Sequence, residues 1–596
     1  MDLMNGWFTY DNDSVFSHVW MPRGLSVSLA FRDSATGALL TQALIGRKGE
    51  REETLHPGHR SWDGGYTDME MEFRGNRVRV ESTAREDKLL LTVTPVSWRT
   101  APMTLLVSAA MLWNRPGTVS YQDGHTLLCR VDGRKVLVKA RGEAVREMHT
   151  GLRGPYLALR LDQPVTIGAG QEPPAPETAR TLLDAAAEKL RREAAAYGDQ
   201  AECYSALRAC MGWDTIFEPE KQQLCTPVSR IWNIQWGGYV LFCWDTFFSA
   251  AMAALGPREL AYANVRAILG EITEKGFVPN FGAAGDNKSR DRSQPPVGSM
   301  TVLQLYERFG DVDFVASVFD RLLEWNRWLA SRRMVEDGTL CWGTDPYDPV
   351  KGREWESHPP QETFYAALES GLDNSPMYDD IPFDRERSIM QLSDVGLTGL
   401  YIADCESLAK LARILGREEE AELICRTERA KDGMQTLWNE ELGIHCNRRR
   451  DTGEFSTRLA PTMFYALFSD RVTPGQRERI LREHFYNTQE FMGEYILPST
   501  PRNDPAYPEQ IYWRGRIWAP LNYLVYLAFT AQGLKAECDL LARKSRELLL
   551  KEWLEHGHVH ENYNADTAEG CDSHRSDSFY HWGALLALIA IDNAQK

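Results

Sequence analysis

The chain has 596 residues, 43% hydrophobic and 25% charged, which suits a soluble globular protein with a large core and more than one domain. A formal net charge of -17 argues against a nucleic-acid partner or an anionic membrane surface, because either would repel it. No run of about 18 apolar residues offers a membrane span. The start MDLMNGWFTYDNDS lacks both regions of a signal peptide, and eleven scattered cysteines without CxxC pairs fit free thiols, so a cytoplasmic location is expected.

Residues 1–167 read as β. MEMEFRGNRVRVES alternates apolar and polar residues on both sides of Gly75-Asn76, a hairpin signal that puts Met69, Met71 and Phe73 on one face and returns through Val78 and Val80. KLLLTVTPVS, TLLCRVD, KVLVKAR and PYLALRLD continue the pattern, and strands at this spacing predict an antiparallel β-sandwich. GAGQEPPAPET, residues 168–178, reads as a linker.

From 179 to 596 the period becomes helical. ARTLLDAAAEKLRREAAAYG is a strong helix former, and DVDFVASVFDRLLEWNRWLASRR places Val315, Val318, Phe319 and Leu322 on one face. RELAYANVRAILGEITEKG, VGLTGLYIADCESLAKLARILG, REEEAELICRTERAKDGMQTLW, TPGQRERILREHF and KAECDLLARKSRELLLKEWLEHG are further helices, and LNYLVYLAFTAQG reads as a buried one. A long all-helical domain of this kind closes as a toroid or extends as a solenoid, and periodicity does not separate the two. Long loops rich in Trp, Asp and Gly favour a site at one end of a toroid.

Several loops combine carboxylates with aromatic residues and glycine. They contain Trp244 and Asp245; Asn280, Asp291 and Gln294; Asp373 and Asn374; Trp513, Arg514 and Trp518; and Glu561 and Asn562. Eighteen tryptophans, many beside Asp, Gly or Arg, suit sugar stacking as well as core packing. Cleaving a glycosidic bond takes two carboxyl groups, one protonating the leaving oxygen and one activating water or attacking carbon. Spacing alone does not single out a pair among 84 acidic residues. Plainer readings stand beside the functional ones: Asp245 as a helix cap, DRSQPP as a rigid turn before a helix at Val297, and Arg514 in a structural ion pair. In HGHVHENYN, His556, His558 and His560 alternate, so an extended strand would bring all three to one zinc ion.

Five ordered motifs, WDTFF, DRSQPP, SGLDNSP, YWRGRIWAPLNY and ENYNADTAEG, make the chain from about Ile231 onward similar to glycoside hydrolase family 63. The resemblance implies an (α/α)6 toroid barrel following the β-sandwich, and an inverting mechanism. Asp373 matches the family's general acid and Glu561 its general base. Trp244 and Asp245 match the pair lining the −1 sugar subsite, with Asn280, Gln294, Trp513, Arg514, Trp518 and Trp582 around the same sugar. Inversion needs about 6.5–9.5 Å between the carboxyls to admit water, against about 5–5.5 Å for retention. The implied substrate is an α-linked carbohydrate, most plainly an α-glucoside. The family motifs ask for no metal at the histidines, so neither metal nor cofactor is expected.

Two departures bear on the leaving-group side: Met377 follows the proline of SGLDNSP, and GCDSHRSDS makes the link after Glu569 long and polar. Epimerases and inverting phosphorylases also use helical toroids, and a non-catalytic sugar-binding protein can keep the barrel. SGLDNSP and ENYN point away from the first two, and the presence of both Asp373 and Glu561 argues against the third.

Overall fold

The computed structural model describes residues 8–10, 12–20, 24–46, 52–85, 88–99, 101–147, 151–152, 154–346 and 362–596. The first seven residues of the opening stretch and part of the AREDK turn therefore lie outside the described residues. Contacts divide the chain into two compact units, residues 1–239 with 554–557, and residues 240–553 with 558–596.

The first unit contains two large antiparallel sheets and a two-stranded one, Ile216–Glu218 with Gln223–Cys225. In one, Phe8–Tyr10, Ser17–Trp20, Leu25–Arg32, Thr104–Met111, Tyr156–Arg160 and Glu143–Ala144 pair in that order, with Leu39–Leu40 beside Leu25–Arg32. In the other the order is Gly117–Asp123, Thr126–Val131, Arg134–Arg141, Val165–Ala169, Lys88–Ser97, Asn76–Arg85, Tyr66–Phe73 and Glu53–Arg60. Met71 pairs with Val78 and Met69 with Val80, and all four side chains are buried with Phe73, as the alternation requires. The hairpin turn falls one residue earlier than predicted. Phe73 pairs with Asn76, so the turn residues are Arg74 and Gly75, both with positive φ, as a type I′ turn demands.

Helices α1 (Pro176–Ala195), α2 (Ala201–Asp214) and α3 (Arg230–Gln235) belong to this same unit. The division therefore falls after Tyr239, later than the proline-rich stretch 168–178 offered as a linker. The reason is packing: Leu183 and Leu190 of α1 form one buried cluster with Tyr66 of the sheet. Gly168 and Ala169 finish a strand, and Pro176 opens α1 from its first turn.

The second unit is helical. It holds α4 (Cys243–Ala253), α5 (Arg258–Leu269), α6 (Gly298–Phe309), α7 (Val312–Arg332), α8 (Glu362–Ser370), α9 (Val395–Leu415), α10 (Glu420–Gln435), α11 (Pro474–Arg479), α12 (Ala519–Ala531), nearly all of α13 (Lys535–His556), and α14 (Leu585–Gln595). Asp311 caps α7 by accepting from Phe314 N, and Gly416 ends α9 in the left-handed region. The helix predicted from Arg258 stops at Leu269, and the chain turns where Thr273 N donates to Phe277 O and Phe277 N donates back to Thr273 Oγ1.

Contacts between elements follow a cycle. α4 touches α6, α6 touches α9, and α9 touches the 3-10 segment Pro461–Phe468. That segment touches α12, α12 touches α14, and α14 returns to α4. The members of this cycle are apolar on nearly every side, as helices covered all round must be. The more polar α5, α7 and α10 pack against α4, α6 and α9.

Buried polar groups join the helices. Arg333 spans Glu369 through two bonds of 2.7 and 2.8 Å, and Ser293 N and Gly343 N donate to the same carboxylate. On α9, burial pushes Asp404 up to about 6, against a bond from Asn326 Nδ2 at 2.8 Å. The folded state thus holds a proton there that the unfolded chain, with Asp near 3.9, releases earlier, so Asp404 costs stability as pH rises through 4 to 6 and no more above that. Asp404→Asn lacks this loss. Measured by denaturant unfolding, its stability relative to the parent should improve by about 1 kcal/mol between pH 5 and 7.5. A difference that does not move with pH would disprove the assignment.

Candidate active site

The loops singled out by the motifs meet within the helical unit. Trp244 and Asp245 stand in the first turn of α4, whose N-cap position is Phe242 with no side-chain cap. Asp245 is therefore not the helix cap. Its Oδ1 accepts from the Tyr580 hydroxyl at 3.0 Å. Gln294 takes a supporting place: its Oε1 accepts from Trp244 N at 3.2 Å and occupies one of the free N–H groups at the helix start. Asn280 works similarly, accepting from Cys243 N through its carbonyl and donating Nδ2 to Leu368 O at 3.0 Å. DRSQPP and the Asn280 loop thus fix where α4 begins and how it faces α8.

Asp373 follows α8. Gly371 turns the chain at φ +74 and lies so close to the Trp244 ring that a Cβ there would sit 2.7 Å from Cζ2. Two residues on, half-buried Asp373 is near enough for its charge to act on Asp245 and on Tyr512. Asn374 ties this turn to the next motif, accepting from Trp513 N at 2.9 Å and donating to Ile511 O at 3.3 Å. Met377 is buried, its sulfur facing Asn447 and Thr462.

Four of the named tryptophans form one cluster. Trp513 and Trp518 stack with ring centres 3.7 Å apart, Trp582 meets Trp518 edge-on at 5.5 Å, and Trp244 lies 6.0 Å from Trp582 and 6.3 Å from Trp513. Arg514 points elsewhere. It is paired with Glu509 at 2.7 Å and Asp379 at 3.1 Å, so its charge is already matched by two carboxylates.

Glu561 is 4% exposed. Tyr512 donates to its Oε1 at 3.3 Å, Asp577 N to its Oε2 at 3.1 Å, and Trp582 Nε1 to its carbonyl at 2.8 Å. Burial is the main cause that pushes Glu561 up to about 8; the Asp577 N–H and the Tyr512 hydroxyl pull against it, while the charges of Asp577 and Asp245 add to it. Asp245 is also pushed up to about 8, again chiefly by burial and further by the Asp373 charge, against the Tyr580 bond. Carboxyl groups raised into the neutral range beside tryptophan faces can exchange protons with a bound sugar.

Sequence reasoning passed over three contributors. Tyr512 and Tyr580 hold Glu561 and Asp245; Tyr512 stands within YWRGRIWAPLNY, while Tyr580, two residues before Trp582, lies in none of the five motifs. Arg516, not Arg514, braces Glu561's own segment: it is buried, bonded to Asn562 Oδ1, and paired with Asp572 at 2.8 Å.

A mannosylglycerate hydrolase MGH1-like glycoside hydrolase domain matches residues 238–582. The chain is a glycoside hydrolase by that match. It belongs to glycoside hydrolase family 63. It is 26% identical over 352 residues to mannosylglycerate hydrolase of Thermus thermophilus, covering 50% of this chain and 76% of that one. It is 22% identical over 453 residues to a mannosylglycerate hydrolase of Selaginella moellendorffii, covering 64% and 85%. Among solved structures, a bacterial glucoamylase complexed with acarbose aligns over 100% of this chain and 94% of its own, with TM-score 0.51 and 9% identity, a likeness of fold alone.

Gly371→Ala tests the close approach behind Asp373. An alanine must tolerate both the positive φ and the Trp244 ring, at a cost of about 1–3 kcal/mol. The expected result is a lower Tm together with a reduced kcat on any glycoside the parent hydrolyses; unchanged values of both would refute the packing argument.

Proposed function

We propose that this protein is an inverting hydrolase of a small α-linked glycosyl conjugate, built on an (α/α)6 toroid. The cycle of six inner elements described above supports the toroid, and their apolar character supports its closure. Asp373 is the general acid that protonates the leaving oxygen, and Glu561 is the base that directs water at the anomeric carbon from the other face. The observation that carries this reading is one electrostatic neighbourhood of Asp245, Asp373 and Glu561 beside four clustered tryptophans.

Each step follows from the environment of its group. The acid must hold a proton at neutral pH, and the Asp245–Asp373 pair keeps one there, because burial and the Asp373 charge push Asp245 up to about 8. The base must shed its proton when substrate enters, and the Tyr512 hydroxyl and Asp577 N–H are set to bond the ionised form of Glu561. Asp245, held by Tyr580, accepts from sugar hydroxyls, while the tryptophans cover the apolar face of the ring. Trp513 Nε1 is buried with no acceptor among the described residues, which leaves it a donor for a sugar oxygen. Arg514 is committed to Glu509 and Asp379, so it shapes the pocket wall instead of gripping the substrate.

α-Glucosides are the first substrate class to test, with mannosyl- and glucosyl-glycerates beside them because of the relatives' names. The free thiols of the described cysteines suit the reducing cytoplasm proposed as its location.

Proton NMR of the first product should detect the β-anomer from an α-glycoside; initial release of the α-anomer would sink the mechanism. Asp373→Asn and Glu561→Gln should each lower kcat by about 10²–10⁴. The two roles separate on an α-glycosyl fluoride, whose leaving group needs no proton. Asp373→Asn should recover most of its activity there, and Glu561→Gln none. A requirement for phosphate in any of these assays would replace hydrolysis by phosphorolysis.

A further inference from the structure

The alternating histidines acquire a different composition in the structure. Gly557 takes φ +67 and ends α13, leaving His556 exposed beside Glu555. After it the chain is extended around Val559 and bends at Glu561: Val559 N and Glu561 N donate to Ser578 O and Asp577 O, and Ile517 and Tyr563 form a bridge. In such a stretch His558 and His560, flanking Val559, share one side.

Two residues from elsewhere join these histidines. Cys571, in the loop after the ENYN motif, places Sγ 3.7 Å from His558 Nδ1 and 3.7 Å from His560 Nε2. Glu552, near the end of α13, places Oε2 3.5 Å from His558 Nδ1 and 3.3 Å from His560 Nε2. The three nitrogen and sulfur atoms lie within 4.8 Å of one another. Tetrahedral zinc, about 2.0–2.1 Å from nitrogen or oxygen and about 2.3 Å from sulfur, sets its ligand atoms about 3.3–3.6 Å apart, close to the four distances of 3.3–3.7 Å from the histidine nitrogens to Cys571 and Glu552.

We propose that Glu552, His558, His560 and Cys571 bind one zinc ion, which fastens the loop 564–577 to the segment that carries Glu561. A hydrogen-bonded cluster explains the arrangement less well. Each histidine nitrogen faces both the thiol and the carboxylate, yet carries at most one proton, whereas a central cation satisfies all the contacts together. The charges also close, since thiolate and carboxylate offset the two positive charges of zinc. Sulfur and imidazole donors select zinc over calcium or magnesium, which take oxygen ligands. With four protein ligands the site has no open position, so its role is structural.

Surrounding groups hold these ligands in place. His560 is fully buried, and its Nδ1 lies 3.4 Å from Ser576 Oγ, which donates to Asn562 O at 2.7 Å. Gly570 lies against the same imidazole, where a Cβ would fall 2.0 Å from Cγ. Exposed Cys571 leaves a route for the ion to enter, and binding releases the thiol proton to solvent.

The test uses full-length protein purified without a metal-binding tag, loaded with zinc and freed of excess by dialysis. Elemental analysis should find one zinc per chain, retained by His556→Ala. In His558→Ala and Cys571→Ser, binding should weaken by at least the ~10–100-fold that loss of an outer supporting group brings. Cobalt in place of zinc should give a thiolate charge-transfer band that Cys571→Ser lacks. Should the variants misfold, alkylation of the parent decides: zinc should protect Cys571 while leaving Cys425, the other exposed thiol among the described residues, unaffected. Folded parent protein without zinc, full zinc in Cys571→Ser, or equal Cys571 alkylation with and without zinc would each overturn the proposal.

Discussion

Everything in the candidate site depends on burying carboxyl groups beside neutral donors. Glu561 and Asp245 receive their hydrogen bonds from tyrosine hydroxyls and, for Glu561, a backbone N–H. Glu369, equally buried, is instead gripped at both oxygens by Arg333. Burial raises Glu369 as well, but the Arg333 guanidinium pulls against that rise and pins both oxygens, which suits a strut. A hydroxyl stabilises the anion less, so the group stays near the point where it gains or loses a proton. Partners alone do not separate the two uses, since Asp404 on α9 is also buried beside a neutral donor, Asn326, away from the candidate site.

Many polar residues near the site are not in it. Gln294 and Asn280 set the start of α4, Asn374 links two loops, and Arg514 answers Asp379 and Glu509. Each removes one freedom from a neighbour in the candidate site. The polar link after Glu569 belongs with them: Asp572 reaches Arg516 and Asn564, Ser576 reaches Asn562, and Asp577 reaches Glu561. What reads as a long insertion is the brace of the segment bearing Glu561.

The fold was legible where local pattern decides it. Alternation found the strands around Met69 to Val80, and the 3.6-residue period found α7 and α9 nearly to the residue. The five motifs marked the loops that converge. Long-range assignments were not legible. Nothing local says that Leu183 packs on Tyr66, which carries the first two helices into the β unit, or that Cys571 returns to His558. The alternating histidines misled for the same reason, since Gly557 breaks the regularity on which the alternation rests. Arg514 and Arg516, two residues apart, could be told apart only by their partners.

The Tyr580–Asp245 bond spans 335 residues, and the Ser249–His581 contact beside it spans 332. During synthesis, α4 emerges long before the segment that must seat against it. Its Asp245 waits without the tyrosine that will orient it, and its apolar sides wait without α14. The cycle of contacts and the candidate site thus depend on pairings of large sequence separation, which form slowly compared with the local helices. A nascent chain stopped anywhere before Tyr580 holds most of the motifs and none of the finished site.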